Sequence, residues 1–241
     1  MLKYTHSSPI QRVKYSPLSI MLASCSDTDF GIWTPEQKQV TKEKTSSKIL
    51  SAAWSSDGKL LALGMQSGVI SIRNQQAEEK MRVERKAPIW CLSFIPNYGT
   101  GGKGAQVKGT SQGLNAIEHD TLIAGCWDKS LLIYKIQGNS IKLQGEKALN
   151  YYPCSIALAG ASIGNKLNYL VVSGSNKKVT LYSRDGARLA DVISKDSWVW
   201  SCACNANLDT VVSGTDYGAI DTMQMTFDAV HALYRDRYAY R

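Results

Sequence analysis

Ile49-Leu-Ser-Ala-Ala-Trp54, Ser55-Ser-Asp-Gly58, Leu60-Leu-Ala-Leu-Gly64 and Val69-Ile-Ser-Ile-Arg73 together decide the fold. They read as an apolar strand, a turn, a second strand ending in small residues, and a third, alternating strand. Asp57-Gly58 is a strong reversal signal, because glycine reaches the backbone angles of a tight turn and aspartate caps its own backbone. The same unit recurs on both sides. Its first strands are Ile10–Tyr15, Ile49–Trp54, Ile89–Phe94, Cys154–Leu158 and Trp200–Cys204. Its second strands are Met21–Cys25, Leu60–Gly64, Leu122–Cys126, Leu170–Gly174 and Thr210–Gly214. Its third strands are Phe30–Trp33, Val69–Arg73, Leu131–Tyr134, Val179–Tyr182 and Ala219–Met223. The residues closing the first strands (Tyr15, Trp54, Phe94, Leu158, Cys204) are 39, 40, 64 and 46 residues apart.

A period of about 40 to 45 residues with four strands per unit is that of WD40 propellers. The long gap contains residues 97–120, rich in Gly, Ser and Lys, which read as an insertion in a loop between two strands of one blade. Few large apolar residues there offset the entropy of ordering, so the insertion is expected to be mobile. The outer strands give weaker signals: Met1–Thr5, Gln39–Thr41, Met81–Glu84, Ile141–Leu143, Arg188–Ile193 and Phe227–Tyr234. One blade cannot bury both faces alone, and radial stacking buries them. The expected fold class is therefore all-β: a WD40-type β-propeller with five of an expected seven blades, open on its own. It occupies residues 1–225, and 226–241 supply a last outer strand. Trp54, Phe94 and Trp200 are expected in the core, facing the next blade. The repeats are degenerate: the usual Trp position carries Trp33, Arg73, Tyr134, Tyr182 and Met223, and Trp127-Asp128 falls in the turn between second and third strands. No Gly-His dipeptide occurs, so the His–Asp network of regular blades is expected to be missing.

Hydrophobic residues make up 44% and charged residues 20%, which permits a sizeable core. No stretch approaches eighteen consecutive apolar residues, so no transmembrane segment is expected. Met1–Pro9 is polar, and no secretory signal is expected. The cysteines Cys25, Cys91, Cys126, Cys154, Cys202 and Cys204 form no CxxC pair, and His6, His119 and His231 are far apart, so no metal site is expected. The thiols read as buried and reduced, pointing to a reducing compartment. The net charge is +8, with Lys38, Lys42, Lys44 and Lys48 clustered around Glu43. Aromatics do not interleave with these lysines, so a solvated loop face is expected rather than a nucleic-acid site. No nucleophile elbow, HExxH or phosphate loop occurs. Gly99-Thr-Gly-Gly-Lys-Gly104 lacks the spacing of a phosphate loop and reads as a linker. Asp27, Asp29, Asp128, Asp209 and Asp216 lie in expected channel-side turns, where aspartate normally caps its own backbone. The residues thus suggest a non-enzymatic scaffold with no catalytic residue, metal or cofactor. A basic-face adaptor for RNA, phospholipid or ubiquitin is the alternative.

An ordered series of segments resembles the first propeller of the intraflagellar transport protein 122 family. These are Leu2-Lys-Tyr-Thr-His6, Leu22-Ala-Ser-Cys-Ser26, Asp29-Phe-Gly-Ile-Trp33, Pro35-Glu-Gln-Lys38, Ser46-Ser-Lys-Ile49, Leu61-Ala-Leu-Gly-Met65, Ile70-Ser-Ile-Arg-Asn74, Ser197-Trp-Val-Trp200 and the end segment from Val230 to Arg241. The insertion departs from the family, being shorter and far less acidic. The resemblance implies a subunit of intraflagellar transport complex A acting in retrograde ciliary transport, cilium assembly and receptor entry. It implies the other complex A subunits as partners, with membrane-receptor cargo adaptors beside them, in cilium, basal body and cytoplasm. It also implies that about two N-terminal blades and everything after the first propeller lie outside this chain. Residues 226–241 would then form the junction to a second propeller, with Tyr234, Arg235, Arg237 and Tyr238 as the contact.

Overall fold

Runs of β-branched and aromatic residues, broken by Gly, Asp and Ser turns, form short antiparallel strands. A computed structural model describes the chain except residues 1–4, 35, 37–40, 98–117, 161–168, 206–207, 227–230, 235–236 and 241. No helix occurs among the described residues. The first sheet contains β1 (Arg12–Tyr15), β2 (Leu22–Cys25), β3 (Asp29–Trp33) and β4 (Thr41–Lys44). The second contains β5 (Ile49–Trp54), β6 (Leu60–Met65), β7 (Val69–Asn74) and β8 (Glu79–Glu84). The third contains β9 (Ile89–Ile95), β10 (Glu118–Cys126), β11 (Ser130–Gln137) and β12 (Ser140–Ala148). The fourth contains β13 (Pro153–Ala159), β14 (Tyr169–Gly174), β15 (Lys178–Ser183) and β16 (Arg188–Ser194). The fifth has β17 (Val199–Asn205), β18 (Thr210–Thr215) and β19 (Ile220–Gln224). β20 (His231–Tyr234) and β21 (Arg237–Tyr240) pair as a separate hairpin.

Each sheet is a meander of sequential antiparallel neighbours, and the first strands lie side by side in the order β1, β5, β9, β13, β17. That is an open, partial propeller. The core lies between the blades, one apolar cluster per junction. Phe30 and Ile32 meet Trp54 and Leu63; Ile70 and Ile72 meet Leu92 and Phe94; Ile123 and Ile133 meet Leu170 and Tyr182; Val171 and Val179 meet Val199 and Val211. The small residues ending the second strands serve these junctions. A Cβ at Gly64 would collide with Ser51 and with Ile89 of the next blade, and one at Gly125 with Cys91 and Pro153. The crowding is thus against the neighbouring blade, not only within the central channel. The turn before β6 forms as expected: Gly58 has φ 67°, and Ser55 Oγ donates to Asp57 at 2.6 Å.

Four expectations change. Trp200 is 38% exposed, whereas Trp54 and Phe94 are buried. Its position explains this, because Trp200 is an extra, bulged residue near the start of its strand, which turns its side chain away from the junction. Leu50, Trp90, Cys154 and Trp200 occupy the equivalent position, skipped by the one ladder that each strand makes. Second, a His–Asp network does exist in the first blade without a Gly-His dipeptide. His6 Nδ1 contacts Asp29 Oδ1 at 2.6 Å, its Nε2 contacts Ser24 Oγ at 2.7 Å, and Ser26 and Ser7 also donate to Asp29. Third, Lys42 and Lys44 belong to the exposed outer strand β4 rather than to a loop. Lys38 lies outside the described residues. Fourth, Asp209 lies beside the start of β18, at the opposite end of its sheet from the turns holding Asp27, Asp128 and Asp216. Most of Met1–Thr5 and of the 97–120 insertion is also outside the described residues. At the insertion's ends, Asn97 donates its N–H to Asp120, and β9 pairs directly with β10.

Candidate functional site

The turns between second and third strands are tied to the connections that enter the first strands by one repeated hydrogen bond. Gln66 N–H donates to the Lys48 carbonyl (2.8 Å), Trp127 to Pro88 (2.9 Å), Ser175 to Tyr152 (3.0 Å) and Asp216 to Trp198 (3.3 Å). These bonds place Trp127, Tyr152 and Trp198 at one end of the blade stack. The bulged residues Trp90 and Trp200 lie at that same end. Trp90 stacks on Trp127, centroids 3.9 Å apart and planes 14° apart. Trp127 meets Tyr152 at 5.6 Å, Tyr152 meets Trp198 at 6.4 Å, and Trp198 meets Trp200 at 5.2 Å. Trp200 returns to Trp90 at 6.2 Å. The five rings close a circuit contributed by blades three, four and five; four of the separations are typical of aromatic pairs, and the Trp90–Trp127 stack is closer.

Trp127 Nε1 donates to the Pro153 carbonyl at 3.2 Å, which fixes its ring at the boundary of two blades. Lys129 Nζ lies 5.0 Å from the Tyr152 centroid. Trp90, Trp127, Tyr152 and Trp198 are half-buried and Trp200 is 38% exposed, so the circuit is partly open to solvent, most of all at Trp200.

Four of the five carboxylates singled out from the sequence serve local structure, and the fifth, Asp216, is exposed. Burial pushes the Asp29 carboxyl up, but hydrogen bonds from Ser26, His6 and Ser7 outweigh that and hold it well below the usual carboxylate range. Asp27 accepts from Gln11 at 3.2 Å and pairs with Lys48 at 3.0 Å. Asp128 accepts from Ser130 and pairs with Arg85, which also holds Glu146 at 2.7 Å. Asp209 accepts from Gly160 N–H at 3.1 Å. These acids do not converge on one point. All six cysteines are free thiols. Burial pushes Cys25 and Cys154 up to about 12, and Cys126 and Cys204 to about 11, so the thiolate nucleophile is suppressed. Among the described residues, no group of three His, Cys, Asp or Glu side chains could hold a metal ion.

Of the four contact residues named from the sequence, Tyr234 pairs with Arg237 and Tyr238 with Leu233 in the β20–β21 hairpin. Arg235 lies outside the described residues. Sequence reasoning missed the aromatic circuit, although a signal existed: Trp127 occupies a tight turn and Trp198 a connection, where small or polar residues are usual.

Stacked antiparallel meanders of three or four strands, with their first strands side by side, define an open, partial WD40-type β-propeller. The family model described as IFT122 first beta-propeller matches residues 1–224. The whole chain is also similar to the "Intraflagellar transport protein 122 homolog" of Mus musculus (42% identical) and of Danio rerio (39%), covering 19% of each. The Homo sapiens homolog is 37% identical, with all of this chain matched to 23% of its length. The chain therefore belongs to the intraflagellar transport protein 122 family and spans about a fifth of the length of these curated relatives.

Proposed function

We propose that the chain is a non-enzymatic interaction scaffold of intraflagellar transport. More finely, it belongs to a subunit of intraflagellar transport complex A that acts in retrograde ciliary transport, cilium assembly and receptor entry. The observation that carries this reading is that the family match over residues 1–224 covers all five blades, including the aromatic circuit. Asp27, Asp29, Asp128 and Asp209, engaged in hydrogen bonds and ion pairs, fit a binding platform better than a catalytic centre. The scaffold would join the other complex A subunits and membrane-receptor cargo adaptors, in cilium, basal body and cytoplasm.

Affinity purification of the tagged chain from ciliated cells, with microscopy of the same tag, tests the reading. Recovery of complex A subunits is expected, together with tag at the ciliary base and along the cilium. Disruption of the gene should strand returning cargo at the ciliary tip. Normal cargo return, with no transport subunit recovered, overturns the reading. The net charge of +8 motivates a second reading, an adaptor outside cilia for RNA, phospholipid or ubiquitin. Phosphate contacts would then give binding that weakens steeply with salt.

A further inference from the structure

We propose that the circuit of Trp90, Trp127, Tyr152, Trp198 and Trp200 receives an arginine or lysine side chain from a basic peptide segment of a partner protein. This names the partner chemistry of the scaffold proposed above and rests on that reading. Large aromatics normally hide in a core, yet here five of them meet at half-buried or exposed positions. Four of the five contacts are tilted or well separated, so ring faces remain open to a ligand. Such faces carry negative electrostatic potential and attract a guanidinium or ammonium group. The molecule already uses this chemistry at the same spot, with Lys129 over Tyr152 at 5.0 Å.

The charges around the circuit set the direction of approach. Lys129 and Lys177 stand on the turns of blades three and four. On the blade-five side, the exposed Asp196 lies two residues before Trp198, and the exposed Asp216 donates its own N–H to the Trp198 carbonyl. Neither carboxylate has a hydrogen-bond or ion-pair partner among the described residues. The nearby Lys195 is already held by Asp221 at 2.6 Å. Two exposed, unpaired carboxylates on the blade-five side of the circuit favour a cation there over an anion. A proline-rich segment would gain nothing from them. Arginine fits best, because its planar guanidinium can lie on an indole while its N–H groups reach a carboxylate.

The test is a titration of the 241-residue chain with a short glycine-spaced arginine peptide, followed by intrinsic tryptophan fluorescence. Its comparator is the same peptide with citrulline, the uncharged isostere. Saturable quenching at millimolar peptide or below is expected, about tenfold weaker with citrulline. Asp196→Asn with Asp216→Asn should weaken arginine binding to a similar degree. Trp200→Leu should abolish it, with the melting temperature of each variant confirming the fold. Equal binding of the citrulline peptide, no saturation by the arginine peptide, or unchanged binding by Trp200→Leu overturns the proposal. Saturation by polyphosphate or oligouridine, with none by arginine, overturns it in favour of an anion site. Failure here leaves the ciliary purification result standing. Arginine binding without recovery of transport subunits would sink the transport reading alone.

Discussion

Phe94 and Trp200 sit two blades apart on equivalent strands, yet their surroundings give them opposite roles. Phe94 is 5% exposed and packs against Ala53, Leu60 and Leu122, so Phe94→Ala should cost about 3 to 5 kcal/mol through lost burial and a residual cavity. Trp200 projects from a bulge into the aromatic circuit, and Trp200→Ala should cost less, about 1 kcal/mol, the scale of an aromatic pair. Denaturant midpoints of the two variants check the pair; equal losses would return Trp200 to the core. Asp29 makes a pH prediction. Its folded-state carboxyl is held below the usual range, so the stability it contributes is fully present above about pH 4, near the unfolded value. That contribution is lost as pH falls through the folded value. Asp29→Asn should therefore melt lower at neutral pH and lose less stability than the parent on acidification below pH 4. Parallel melting curves for parent and variant across that range would disprove the assignment.

At the scale of elements, the first three strands of each blade were legible because they alternate or run apolar, and their bounds differ from the structure by only a few residues. The outer strands were less legible because they face water. Thr41–Lys44 is exposed throughout and Ser140–Ala148 nearly so, so neither carries a hydrophobic pattern to read. The His6–Asp29–Ser24 network escaped for a different reason. It joins a connection, a strand and a turn, and no local dipeptide marks it. The aromatic circuit unites three blades, and only the ladders show that Trp90 and Trp200 share one bulge position. The β20–β21 hairpin raises its own prediction. Two strands alone are marginally stable in water, so a Tyr-rich hairpin of this kind would gain stability from a contact surface. We propose that 226–241 is the junction to a second propeller, with Tyr234, Arg235, Arg237 and Tyr238 as the contact. Arg235→Glu with Arg237→Glu in the full-length subunit should abolish complex assembly while both propellers stay folded. Unchanged assembly and propeller orientation would rule the junction out.

For the whole molecule, stacking energetics make the end blades differ from the middle ones. Each inner blade has two covered faces, whereas β1 is exposed at every residue while its counterpart β5 is almost wholly buried. At the other end β19 is largely exposed while its counterpart β7 is mostly buried. Ile10, Val13, Tyr15, Leu18 and Ile20 therefore stand open on the first blade, and Tyr217, Ile220 and Met223 on the fifth. Contiguous apolar faces of this kind are what a neighbouring blade covers in a repeat stack, and left open they drive association. The two faces differ in shape and sequence, so contact between copies would run head to tail and need not close. Residues 1–241 alone should consequently form concentration-dependent oligomers in sedimentation velocity. Val13→Lys with Ile220→Lys should shift the distribution toward monomer and leave the inter-blade clusters, hence the cooperative melt, intact. A parent chain that sediments as a monomer at every concentration and unfolds in one cooperative step would instead mean that five blades satisfy their own faces.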